Sequence, residues 1–328
     1  MCAMLARGEV FPSTMEQAFD RFVCRIINCE FDSAFQIADS FSSADTTDPV
    51  GPLLRLLVCG MRDLDFDRTI DSAGFLNTYR TTVKRIAGYE ETHGRSSYTM
   101  TLAGFANATH AAYYLRQKKY VAAVGTGLDA MKLLHEAKAA DSANYDVDLF
   151  LGLYEYGKAE LRRRLWMVLF WYGGDKHQGI ERLRQCAGRA RFAGPAARLS
   201  LADIYINENR LDSARAVIDE LRREYPASRF ILWSRAKYLL AAGQRRAAAG
   251  VYGELSDSYA AAAYGTYNSL ATRRRQIELL CEERAGAEAR RIAKKTLAGT
   301  CREPAWRHSA PCGEIRKLAE KGGCDGGR

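Results

Sequence analysis

The chain lacks most of the signals that mark a reaction or a membrane. Only 7 of its 328 residues are proline and 27 are glycine, too few for a collagen-like or low-complexity chain. The longest apolar run, Leu165 to Tyr172, falls far short of the roughly 20 residues a membrane-spanning helix needs. Strand-like alternation bounded by turn residues is almost absent. No Cys-x-x-Cys, His-Glu-x-x-His, Gly-x-Ser-x-Gly or Gly-Lys-Ser/Thr occurs, which removes the commonest zinc, nucleophile and phosphate-loop patterns. Gly125-Thr-Gly127 lacks a third glycine and falls inside a helical pattern. Histidine is scarce, five in all, and His93, His110, His135, His177 and His308 share no relay spacing.

What is present is helix-forming and unevenly charged. Hydrophobic residues make up 47% and charged residues 27%, with a formal net charge of +9. Residues 1–160 hold 16 Lys and Arg against 21 Asp and Glu; residues 161–328 hold 32 against 18. A basic half can bind phosphate or acidic protein through Arg forks. Often, though, such a half only reflects an Arg- and Ala-rich codon habit.

The organising feature is a 34-residue period. Residues 195–228 laid on 229–262 place Ala202 on Ala236, Tyr205 on Leu239, Ala214 on Ala248, Ile218 on Tyr252 and Leu221 on Leu255. Ala202 and Ala214 are spaced to meet across a helical hairpin, where a small side chain permits close approach. Asn207 to Asn209 and Gly243 mark the turns, and Pro226 follows a helix end. A unit of this length and pattern resembles the tetratricopeptide repeat. Weaker units flank it: Ala111, Tyr114, Ala123 and Ala130 around a turn at Gln117 to Lys119; Ala34, Ala38 and Phe41 before Asp48-Pro49; and Ala287, Ala289, Ile292 and Leu297 after a slip in phase. The expected fold is all-α, a right-handed solenoid of antiparallel helix pairs in which each repeat packs against its neighbours. Its expected parts are a tail at 1–13, degenerate pairs at 14–140, an extended hairpin at 141–194, two repeats at 195–262, a degenerate pair at 263–300 and a cap or tail at 301–328.

Residues 148–187 carry a second resemblance. Gly152, Leu153, Gly173, Asp175, Gly179 and Leu183 make a Gly-Leu-Tyr helix, a basic and apolar stretch, Gly-Gly-Asp and a Gly-Ile-x-x-Leu helix. Over roughly residues 140–260 this resembles the tetratricopeptide repeat protein 39 family, which includes the fungal inclusion body clearance protein, and similar bacterial repeat proteins. The resemblance implies a non-enzymatic interaction scaffold. Between Gly152 and Gly179 lies an insertion, Arg162-Arg163-Arg164 followed by LWMVLFWY. Its aromatics are expected to pack into the solenoid as an extended hairpin. The alternatives are a protein-binding ridge or an interfacial membrane anchor with Trp166, Phe170 and Trp171 dipping in.

Two clusters imitate metal sites and fail. Asp63, Asp65, Asp67 and Asp71 resemble a calcium loop, but Arg68 occupies the glycine position; they are read as a solvated helix start. Cys301, His308, Cys312 and Cys324 match no common zinc spacing and are read as a loose tail of unpaired thiols. Cys24, Cys29, Cys59 and Cys186 sit in apolar helical contexts, where cysteine behaves as a small hydrophobe. The opening MCAMLARGEVFPST has no sustained apolar core or clean cleavage site. The expected compartment is therefore reducing and cytoplasmic. The alternative is a bacterial envelope, with a leader lost upstream of Met1.

Neither cofactor nor metal is expected, and the reading is non-enzymatic. Nucleic acid is disfavoured: the aromatics fall at repeat-core positions, and Glu181, Glu278, Glu282 and Glu283 dilute the Arg clusters. The function expected is a protein-interaction scaffold holding a peptide or protein partner on its first helices. The facing residues would be Leu199, Asp203, Ile206 and Asn207 from one repeat, and Phe230, Trp233, Lys237 and Leu240 from the next. Leu199 and Asp203 replace the Lys and Asn of relatives that clamp a chaperone carboxylate, which argues against that ligand. The alternatives are a membrane- or envelope-associated adaptor and a nucleic-acid-binding regulator using the basic half.

Overall fold

The computed structural model describes residues 13–164 and 173–320. Among these there is no strand; the elements are helices α1 (Ser13–Ile27), α2 (Phe31–Ala44), α3 (Val50–Asp65), α4 (Ser72–His93), α5 (Ser97–Arg116), α6 (Tyr120–Ala140), α7 (Asp148–Arg164), α8 (Lys176–Arg189), α9 (Gly194–Asn207), α10 (Leu211–Glu224), α11 (Arg229–Ala241), α12 (Arg245–Ala260), α13 (Thr266–Glu282), α14 (Gly286–Ala298) and α15 (Ala310–Glu320). The fold is an α-solenoid of antiparallel pairs resembling tetratricopeptide repeats. Residues 165–172, and with them the burial or membrane contact expected of LWMVLFWY, lie outside the described residues.

Five hairpins turn by one device. Cys29 (φ 61), Lys118 (φ 58), Asn209 (φ 56), Gly243 (φ 72) and Arg284 (φ 57) each adopt the left-handed conformation between consecutive helices. Each donates its N–H to the carbonyl three residues back, and the next residue donates to the carbonyl five back. This double closure satisfies the free carbonyls of the first helix. Five positions after each left-handed residue stands an alanine: Ala34, Ala123, Ala214, Ala248 and Ala289, all at most 4% exposed. Each of these N–H groups bonds the carbonyl of the residue just past the turn, starting the second helix in the same phase. Cys29 is therefore a turn residue rather than a helical one.

Two hairpins differ. After α3, Asp67 (φ 49) closes the helix in the same way, but α4 starts only at Ser72, with Asp71 accepting the Gly74 N–H as its cap. Of the four acids read as a solvated helix start, Asp67 and Asp71 are exposed and Asp71 does start α4, but Asp63 and Asp65 belong to the buried end of α3. Asp63 and Asp65 are 2% and 5% exposed, and Asp63 accepts the Ile70 N–H. Burial raises the Asp63 pKa. In α7 and α8 the backbones touch at Gly152 and Gly179, where a Cβ on either would stand 2.8 Å from the other's carbonyl oxygen. The inserted length between the pair leaves that contact intact.

By packing the chain divides into two compact units, residues 1–201 with 225–227, and residues 202–224 with 228–328. The first unit is knit at the loop before α7. Asp148, 1% exposed, accepts from Lys138 of α6 at 2.7 Å and Arg182 of α8 at 2.8 Å. Asp146 accepts from the successive N–H groups of Arg191, Phe192 and Ala193. This unit also departs from neighbour-only packing: Glu16 of α1 pairs with Arg191 at 2.7 Å, and the Phe19 ring lies 4.6 Å from Phe192. Phe19 and Phe22 leave α1 with an apolar face that the segment before α9 helps cover. In the second unit α15 packs on α13 and α14.

Candidate partner-binding face

First helices present equivalent positions one repeat apart, so Asp203 matches Lys237 and Ile206 matches Leu240. In the second unit the structure brings the charged pair together. The Asp203 carboxylate accepts from the Ser234 hydroxyl at 2.7 Å and is ion-paired with Lys237. Their side chains are 36% and 53% exposed, and pairs at that exposure contribute about 0–1 kcal/mol. The pair's consequence is therefore orientation: two charges are held at fixed places on adjacent first helices.

Apolar groups flank it. Ile206 and Leu240 are half-buried and Asn207 is exposed at the end of α9. Trp233 is half-buried, its Nε1–H donating to the Tyr259 hydroxyl at 3.0 Å and its ring edge-on to Tyr252. Phe230, expected to face the partner, is only 9% exposed and belongs to the core. Leu199 falls in the first unit, while the other seven candidates fall in the second. Ser234 and the tyrosines holding Trp233 escaped the sequence reading. Ser234 stands one repeat after Ser200, a signal available in the period; Tyr252 matches Ile218 in the period only as a core position, and the period does not mark Tyr259.

The site's electrostatics are set by paired ions. Arg235 and Arg222 both reach Glu254, and Arg275 reaches Glu278 and Glu282. Burial pushes the Tyr252 hydroxyl above its ordinary range, against the opposing influence of Arg275. Among the described residues no cluster of three His, Cys, Asp or Glu side chains can hold a metal ion. The reading of a loose tail of unpaired thiols is corrected at two of its cysteines: Cys301 and Cys312 form a disulfide, 2% and 0% exposed, packed with Leu270, Leu297 and Trp306, while Cys324 lies outside the described residues. No described helix is long and apolar enough to cross a membrane.

No protein-family model and no curated protein matches the chain. Among solved structures it is similar to the C-terminal part of a TPR repeat-containing protein from Cytophaga hutchinsonii, at 14% identity and a TM-score of 0.44, covering 88% of this chain and 98% of that one.

Proposed function

We propose that the chain is a non-enzymatic protein-interaction scaffold that holds a peptide or protein segment on the first-helix face of its second unit. The observation carrying this reading is the Asp203–Lys237 pair, fixed by Ser234 and flanked by half-buried Ile206, Trp233 and Leu240. Half-exposed apolar anchors beside a fixed, weakly stabilising charge pair suit a segment with an apolar side chain and a nearby charge. The finer likeness to the tetratricopeptide repeat protein 39 family rests on Gly152 and Gly179, whose touching backbones support the hairpin but name no partner.

A photo-crosslinking amino acid placed at Lys237 in the native host tests this reading, with Lys237→Glu and Trp233→Ala in parallel pull-downs. A discrete crosslinked partner, lost about tenfold or more in both variants without loss of helicity, supports it. Crosslinks to nucleic acid, or none above background, count against it. An oxidising compartment is a second reading, carried by the Cys301–Cys312 disulfide; it favours the envelope alternative over the cytoplasm.

A further inference from the structure

Helix α6 carries an apolar stripe on its solvent face. Val121 is 90% exposed, Tyr120 62%, Val124 61% and Leu128 51%. Their spacing puts them on one side of the helix. The other second helices show that this is not a habit of the repeat. Three and ten residues after the left-handed turn residue, α6 has Val121 and Leu128. At those same places α2 has Asp32 and Asp39, and α10 has Asp212 and Asp219; α12 and α14 each place a cation at one of the two, Arg246 and Lys294. The usual occupant is charged and faces water.

At the centre of the stripe stands Gly125, exposed, with nothing inside the chain within 4 Å of where its Cβ would be. Glycine weakens a helix interior relative to alanine, and no internal contact calls for it here. A close approach from outside would.

We propose that this face binds a second copy of the chain, α6 against α6, antiparallel across a two-fold axis between Val124 and Gly125. The residue order is self-complementary about that point. Val121 of one copy meets Leu128 of the other, Val124 meets Gly125, Tyr120 meets Asp129, and Gln117 meets Lys132. Asp129 and Lys132 are exposed. A parallel pairing would set Asp129 on Asp129 and Lys132 on Lys132, and like charges oppose it. Two-fold pairing through one shared patch is the commonest form of association. A contact built on one helix is small, so the dimer belongs in the micromolar range.

Sedimentation velocity on the full chain, from about 1 to 200 µM, tests the proposal. The wild type is expected to shift from monomer to dimer. Val121→Glu or Leu128→Glu should weaken the dimer about tenfold or more with an unchanged circular dichroism spectrum. Val121→Lys combined with Leu128→Glu should restore association at low salt, because antiparallel pairing sets each lysine against a glutamate. A wild type that stays monomeric throughout, or a dimer indifferent to Val121→Glu, overturns the proposal. A double variant that remains monomeric overturns the antiparallel geometry.

Discussion

His110 is 7% exposed, and neither imidazole nitrogen has a hydrogen-bond partner among the described residues. Its ring lies 3.9 Å from Tyr79 and 4.2 Å from Tyr114, with Phe75 and Tyr113 near 6 Å. Burial alone lowers its pKa from 6.5. The unfolded chain takes up a proton near 6.5 while the folded chain does not, so stability falls as pH drops below that point. The fall ends below the folded pKa, where both states are protonated. His110→Phe keeps the aromatic packing and removes two orphaned polar atoms. It should raise stability by about 1–3 kcal/mol near neutral pH, the cost of a buried unsatisfied group. It should also flatten the loss between neutral pH and pH 5, with the residual slope belonging to His135, whose pKa burial and then Arg182 lower. Denaturant midpoints across that pH range read both effects; an unchanged slope would show that His110 is not the titrating group.

At the scale of the helix pair, legibility followed the size of one side chain. Seven residues before the left-handed turn stand Ala202 and Ala236 in the two hairpins the period revealed most clearly and Ala111 in a weaker one, but Phe22 and Ile277 in the outer two. Those outer hairpins keep the alanine only on the second helix, so half of the small-residue signal is missing there. The 41-residue step from Gly243 to Arg284 hid the last pair further. The candidate face was legible as paired positions because Asp203 and Lys237 are one repeat apart. Phe230 was misplaced because periodicity names a helix face, not the depth at which its neighbours cover it. If one contact governs all five hairpins, Ala34→Leu and Ala289→Leu should each destabilise by about 1–3 kcal/mol, like Ala214→Leu. Ala287→Leu, on an exposed face of the same helix as Ala289, should be neutral. Equal effects at Ala287 and Ala289 in urea titrations would break the shared register.

For the whole molecule the question of compartment comes down to how α15 is held. It lies on α13 and α14, with Arg274 paired to Glu314 across the contact. Cys301 and Cys312, 11 residues apart, fasten the segment leading into it and stand in the same core as Leu270. Closing a loop of that length removes denatured-state freedom worth about 3 kcal/mol in the chain-entropy account. The free cysteines are differently placed: burial pushes the Cys59 thiol up to about 11 and raises that of Cys186 as well. Thiolate is the reactive form, so these thiols should neither exchange with the disulfide nor alkylate in the native state. Cys301→Ser with Cys312→Ser, or mild reduction of the wild type, should therefore lower stability by about 2–4 kcal/mol. Mass spectrometry after acid quenching of intact cells should find the Cys301–Cys312 pair oxidised and Cys59 unmodified until denaturant is added. Oxidation in the cell together with the stability loss places the chain where disulfides persist. A pair found reduced, with stability indifferent to reductant, would instead mean that Leu270, Leu297 and Trp306 hold α15 unaided, and the reducing cytoplasm would stand.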